Sequence, residues 1–151
     1  MNNKAIFLAA PISGFSNDNE YRGYREKVLK FMAHLRANSY EVYSEIEKVT
    51  GKNNYSSPDH SAEDDFNKIN DLDIFLLLHP RRVQTSSLIE LGYAYAKGKT
   101  IVIIGSTDAL PYLALGLPAV CPNVRLIDSS ELDTNTFIHA INILNELITY
   151  R

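Results

Sequence analysis

The sequence predicts a doubly wound α/β fold, an open, mostly parallel five-stranded sheet of flavodoxin-like order in a single domain over residues 1–151. Three observations carry that prediction. Strand-like runs alternate with helical segments along the chain, the pattern that places helices on both faces of a parallel sheet. The strongest runs, "IFLAA" and "IFLLL", are apolar at every position, as in strands covered on both faces. At 151 residues the chain suits one compact domain whose core needs no metal or disulfide support.

The elements follow in order. "KAIFLAA" is a first strand ending at Pro11, and "PISGFSND" is a loop of turn and cap residues that opens a helix. From Glu20, the positions Tyr21, Tyr24, Val28, Phe31, Met32 and Leu35 recur at helical spacing. "YEVYSE" reads as a short second strand, and "EKVTGKNNYSSPDH" as a long, mobile polar loop without periodicity. A helix from about Ser61 to Leu72 carries Glu63 and Asp64 in its first turn, where the macrodipole favours acids. "DIFLLL" is the clearest strand. The helix of "SLIELGYAYA" follows, with Gly98 as its C-terminal cap, and then the strand "TIVII". "DALPYLALGLPAV" fits either an irregular helix or a proline-broken connection. "NVRLID" supplies a fifth strand, and Phe137, Ile141, Leu144 and Ile148 share one face of a closing helix.

Composition excludes several classes. The net charge of −3 offers no basic field for a nucleic-acid polymer. No apolar run approaches the roughly 18 residues that span a bilayer, and the N-terminal run is too short for a signal peptide, so a cytoplasmic protein without a membrane partner is expected. Cys121 is the only cysteine, which leaves no intrachain disulfide. His34, His60, His79 and His139 show no ligand spacing, so no metal is read.

In doubly wound sheets ligands bind beyond the carboxyl ends of the strands. Two loops leave such ends: "APISGFSND", with Ala10, Ser13 and Gly14, and "HPRRVQTSS", with Arg81 and Arg82. Ser13 and Gly14 could bring a hydroxyl and backbone amides to a phosphate, and the two arginines could clamp an anion through paired hydrogen bonds. Neither loop has the glycine spacing of a Walker or dinucleotide-binding fingerprint. Glu90 lies just behind the second loop, one turn into an apolar helix. Ser87-x-x-Glu90 is also a capping box, in which the glutamate only satisfies helix-terminal amides. Asp65, on the preceding helix, and Asp73, at the head of "DIFLLL", complete the candidate acids. Taken singly, each aspartate and each arginine reads first as structural or solvated, and Glu90 equally well as a cap.

Together, four segments resemble the nucleoside 2-deoxyribosyltransferase family and its relatives that hydrolyse nucleoside monophosphates. They are "AIFLAAPISG", "YRGYREKVLKFMAHLRANSYEVY", "DDFNKINDLDIFLLL" and "ELGYAYAKGKTIVII", spanning roughly residues 5 to 104. The resemblance implies that Glu90 is the nucleophile and that Asp65 and Asp73 are the accompanying acids. It also implies that Ala10, Ser13 and Gly14 meet the sugar or phosphate; Arg81, Arg82 and Ser87, read from the second loop itself, are further candidates for substrate contact. The family's flavodoxin-like sheet, its homodimeric or larger assembly and its independence of cofactors are further implications. The chain departs from the family pattern between Val83 and Ile89, where no glycine precedes the glutamate.

The expected chemistry is cleavage or transfer at the N-glycosidic bond of a small-molecule nucleoside or nucleoside 5′-monophosphate. A carboxylate attacks the anomeric carbon while an acid protonates the departing base. Two alternatives stand beside it: an NAD glycohydrolase similar to TIR-type domains, and a module that binds nucleotides without cleaving them.

Overall fold

The computed structural model describes residues 4–51, 54 and 56–149. The elements are β1 (Lys4–Ala9), α1 (Asp18–Ala37), β2 (Tyr40–Tyr43), a 3-10 turn (Glu45–Glu47), α2 (Pro58–Asp71), β3 (Ile74–His79), α3 (Ser87–Ala96), β4 (Thr100–Gly105), α4 (Tyr112–Val120), β5 (Val124–Asp128) and α5 (Thr134–Thr149). The strands form one parallel sheet in the order β2-β1-β3-β4-β5. The predicted fold class is the one observed.

Alternation along the strands separates two cores. Ile6, Leu8, Leu76, Leu78, Val102 and Ile104 face α1 and α5, where Phe31 and Phe137 stack with ring centroids 4.7 Å apart. Phe7, Ala9, Phe75, Leu77, Ile101 and Ile103 face Ile69 of α2, Leu91 and Ala94 of α3, and Ala114 of α4. Strands buried on both faces need apolar residues at every position, and this explains the unbroken runs. At the end of α3, Gly98 has φ +67°; its N–H donates to the Tyr95 carbonyl and that of Lys99 to the Ala94 carbonyl. This is the left-handed cap expected of that glycine.

Helix starts differ from the periodicity. The first begins at Asp18, because Asn17 caps it by accepting from the Glu20 N–H at 2.9 Å. The second begins at Pro58, whose fixed φ suits the first helical position, so Glu63 and Asp64 fall beyond the first turn. The segment 112–120 is a helix that contains Pro118. The long loop read from residue 47 onward is shorter at both ends, and Lys52, Asn53 and Tyr55 within it lie outside the described residues. Among the described residues, no helix is long and apolar enough to cross a membrane.

Candidate active site

Above the carboxyl ends of β1 and β2 lies a cleft of about 180 Å³. The β1–α1 loop contributes Ala10, Ile12 and Ser13; the end of β2 contributes Ser44, Glu45, Ile46 and Val49. Helix α2 contributes Ser61 and Asp65, and the start of α3 contributes Thr85, Ser86, Ser87 and Glu90. A second hollow of about 340 Å³ opens on the outer side of α2 and α3 and shares Ser61, Asp65, Ser86 and Glu90. Asp65 and Glu90 thus sit where the two hollows meet.

The local fold decides what Glu90 does. Helix α3 starts at Ser87 with Ser86 as its N-cap, and no side chain caps it. The Ser87 N–H donates to Thr85 Oγ1 at 3.3 Å, and Thr85 Oγ1 lies 3.1 Å from Ser87 Oγ. The capping box expected between Ser87 and Glu90 therefore does not form. Ser87 stands one residue too late, and the Glu90 carboxyl is left free to turn toward Asp65.

Both acids are half-buried. Burial, the Asp65 charge beside it and the nearby Glu45 push the Glu90 carboxyl up to about 8. Burial and the Glu45 charge raise Asp65 to about 6. Asp65 Oδ1 is buried without a hydrogen-bond partner among the described residues. Two carboxyls so placed titrate as a pair that holds one proton near neutrality, and one of them can give a proton while the other attacks.

Hydroxyls gather within the cleft one turn before Glu90. Ser13, Thr85, Ser86 and Ser87 surround the amino end of α3, where the helix dipole favours an anion. Ser13 Oγ donates to the Gln84 carbonyl at 3.3 Å and so ties the two loops together. Gly14, with φ +86°, lets them approach: a Cβ there would lie 3.2 Å from Val83 Cβ. Gly14 contributes this close approach and does not line the cleft.

Three expected site residues lie elsewhere. Arg81 is ion-paired with Glu20 and lies over the Phe15 ring, 5.0 Å from its centroid. Arg82 donates to the Asp108 carbonyl at 3.1 Å, on the β4–α4 loop. The anion clamp expected from the two arginines is thus absent, because each side chain is committed outside the cleft. Asp73 is exposed at the amino end of β3. A six-residue strand separates it from the carboxyl edge by roughly 20 Å, so it is not brought together with Asp65 and Glu90. Arg81→Ala and Arg82→Ala are accordingly expected to change any turnover by less than about fivefold, as exposed ion pairs do. Steady-state kinetics on the two variants checks this.

Glu45, Ser44 and Thr85 were missed as site residues. The rule that selected the loops after β1 and β3 applies equally to "YSE" at the end of β2. The polar, aperiodic stretch that follows concealed it.

The sheet order and a carboxylate pair at its carboxyl edge define the chain as a flavodoxin-like α/β protein with an acidic site. No family model matches the sequence, and neither does any curated protein. Solved structures do. The CMP N-glycosidase BcmB of Clostridium botulinum is 24% identical, with 94% of this chain and 98% of that one covered and a TM-score of 0.67. BlsM is 17% identical over 97% and 92%, with a TM-score of 0.78. A 2-deoxyribosyltransferase of Bacillus psychrosaccharolyticus is 19% identical over 88% and 95%, at 0.55. At these identities the likeness shows a shared fold.

Proposed function

We propose that the chain belongs with the nucleoside 2-deoxyribosyltransferases and nucleotide N-glycosidases. In this reading it cleaves the N-glycosidic bond of a nucleoside 5′-monophosphate. The observation that carries the reading is the half-buried Asp65–Glu90 pair at the carboxyl edge of the sheet. Its support from outside is a fold shared with a CMP N-glycosidase and a 2-deoxyribosyltransferase.

The 5′-phosphate lies against Ser13, Thr85, Ser86 and Ser87 at the amino end of α3, which leaves the anomeric carbon over Glu90. As substrate binds, the pair's proton moves to Asp65 and Glu90 becomes the carboxylate. Glu90 then attacks the anomeric carbon, the glycosidic C–N bond breaks, and Asp65 gives its proton to the departing base nitrogen. The product is a glycosyl ester on Glu90 and an ionised Asp65. Asp65 next takes a proton from water as the water oxygen attacks the anomeric carbon, releasing ribose 5-phosphate or its deoxy counterpart; a second base in place of water gives transfer. No cofactor enters these steps.

Incubation with nucleosides, deoxynucleosides, their 5′-monophosphates and NAD, followed by chromatography of free base, tests the substrate class. Release from monophosphates alone is expected. Release of nicotinamide from NAD would instead favour the NAD glycohydrolase reading. Tight nucleotide binding with no release from any member would favour a sensing module.

The partner we assign is a second copy of the chain. Ile89, Tyr112, Leu113 and Val120 are 66%, 89%, 81% and 73% exposed on α3 and α4. Tyr112, Leu113 and Val120, with Tyr95 and Leu88, line an apolar groove of about 760 Å³. Contiguous exposed apolar surface of this kind marks association. Ile89, on the same helix as Leu88 and Tyr95, lines the hollow beside Asp65 and Glu90, so a partner that reached from the groove onto Ile89 would cover the open side of the site. Sedimentation should give a dimer or larger assembly for the native chain and a monomer for Leu113→Asp; a native monomer at micromolar concentration would refute the interface.

A further inference from the structure

Glu45 is the third carboxylate of the cleft, and it is held more firmly than its place in a polar stretch would lead one to expect. The turn that carries it is fastened to α1 by three side chains. Arg25 donates to the carbonyls of Ile46 and Glu47 at 2.9 and 2.8 Å. Arg36 donates to the Val42 carbonyl at 2.7 Å and pairs with the Glu47 carboxylate. The Tyr21 hydroxyl donates to the Val49 carbonyl at 2.6 Å. Ile46 and Val49 are buried in the core beneath.

The Glu45 side chain is fixed as well. Its Oε1 accepts from the Tyr43 hydroxyl and from Lys48 Nζ, the latter at 3.2 Å. The ammonium groups of Lys48 and Lys68 lie 4.9 and 5.4 Å from the Tyr43 ring centroid. Glu45 Oε2 has no partner among the described residues, and the side chain lines the cleft. That second oxygen is an acceptor without a donor.

Among the described residues, the cleft is lined by hydroxyls and carboxylates but by no lysine, arginine, histidine or side-chain amide. Its two ends differ. Ser13, Thr85, Ser86 and Ser87 gather around the start of α3, beyond β3, while Glu45 stands with Ser44 at the end of β2. These strands flank β1, so their carboxyl ends are roughly 10 Å apart, about the span from a 5′-phosphate across a ribose to its base. With phosphate at α3 and sugar over Glu90, the base falls to Glu45.

We propose that Glu45 selects the base: its carboxylate accepts a hydrogen bond from an exocyclic amino group, so the site takes cytosine or adenine and rejects uracil and hypoxanthine. This rests on the monophosphate reading above. An oxo base sets a carbonyl against the carboxylate, leaves both unpaired and loses their water. A site built around one hydrogen bond discriminates strongly against the analogue that lacks it. For a partly exposed carboxylate the expected preference is about 100-fold.

The test is calorimetric binding of CMP, UMP, AMP and IMP to Glu90→Gln protein, which holds nucleotide without cleaving it, with and without Glu45→Gln. Free base release by native protein is followed in parallel. CMP and AMP should bind about 100-fold more tightly than UMP and IMP. Glu45→Gln, whose amide both donates and accepts, should bring each pair within about fivefold. Equal binding of CMP and UMP with Glu45 present, or a preference that survives Glu45→Gln, overturns the assignment. Discrimination in binding without base release sustains it and removes the catalytic reading. Base release at equal rates from CMP and UMP does the reverse, and no binding by any of the four overturns both.

Discussion

Glu90→Gln is expected to abolish base release, by about 10⁴-fold or more, while nucleotide binding survives. Gln has the shape of Glu but cannot form a glycosyl ester, so only the attack on the anomeric carbon is lost. The same substitution should stabilise the fold at alkaline pH. The Glu90 carboxyl, raised to about 8 from an ordinary 4.5 chiefly by burial, makes the native chain hold a proton that the unfolded chain has lost. Native stability therefore falls as pH rises from about 4.5 to about 8. Gln removes that dependence. At pH 8 the gain is on the order of 4 kcal/mol, or about 12 °C in Tm for a chain of this size. At pH 5, where Glu90 is protonated anyway, the melts should nearly coincide. A surface glutamate or a simple cap would show neither the loss nor this pH-dependent gain.

Asp65→Asn is expected to lower kcat by about 10²- to 10⁴-fold, the range of a lost general acid. The deficit should shrink for a nucleotide whose base leaves without being protonated, because Asp65 then has nothing to supply. The pair also fixes the pH profile. Below about 6 both carboxyls are protonated and Glu90 cannot attack; above about 8 both are ionised and no proton reaches the base. The native kcat/KM should therefore be bell-shaped, with limbs that belong to the pair and not to either acid alone. Asn in place of Asp65 should remove the alkaline limb, whereas a residue that only supported the fold would lower the whole bell without changing its shape.

How much was legible in the sequence follows from what each signal depends on. "IFLAA", "IFLLL" and "TIVII" could be recognised because burial on both faces leaves an unbroken apolar mark. Gly98 was legible because a left-handed cap demands that residue type. The segment around Pro118 stayed ambiguous, since a proline within a single short helix gives the same pattern as a break. Glu90 and Asp65 were found by position and resemblance, but their pairing depends on how α2 and α3 pack, which spacing does not encode.

Asp73 went astray because adjacency to a strand does not say which end of it faces the site. Arg81 went astray because its partner, Glu20, lies 61 residues away on α1. Glu45 was hidden for a different reason. Its rigidity comes from Arg25, Arg36 and Tyr21 on α1, and nothing in "EKVTGKNN" reveals that clamp.

The most direct test of the account is free base released from a nucleoside 5′-monophosphate by native protein and by Glu90→Gln, side by side at pH 7, with nucleotide binding measured on both. Release by the native protein alone, with both proteins binding, is the predicted result. Equal release by the two, or binding without release by either, would contradict it.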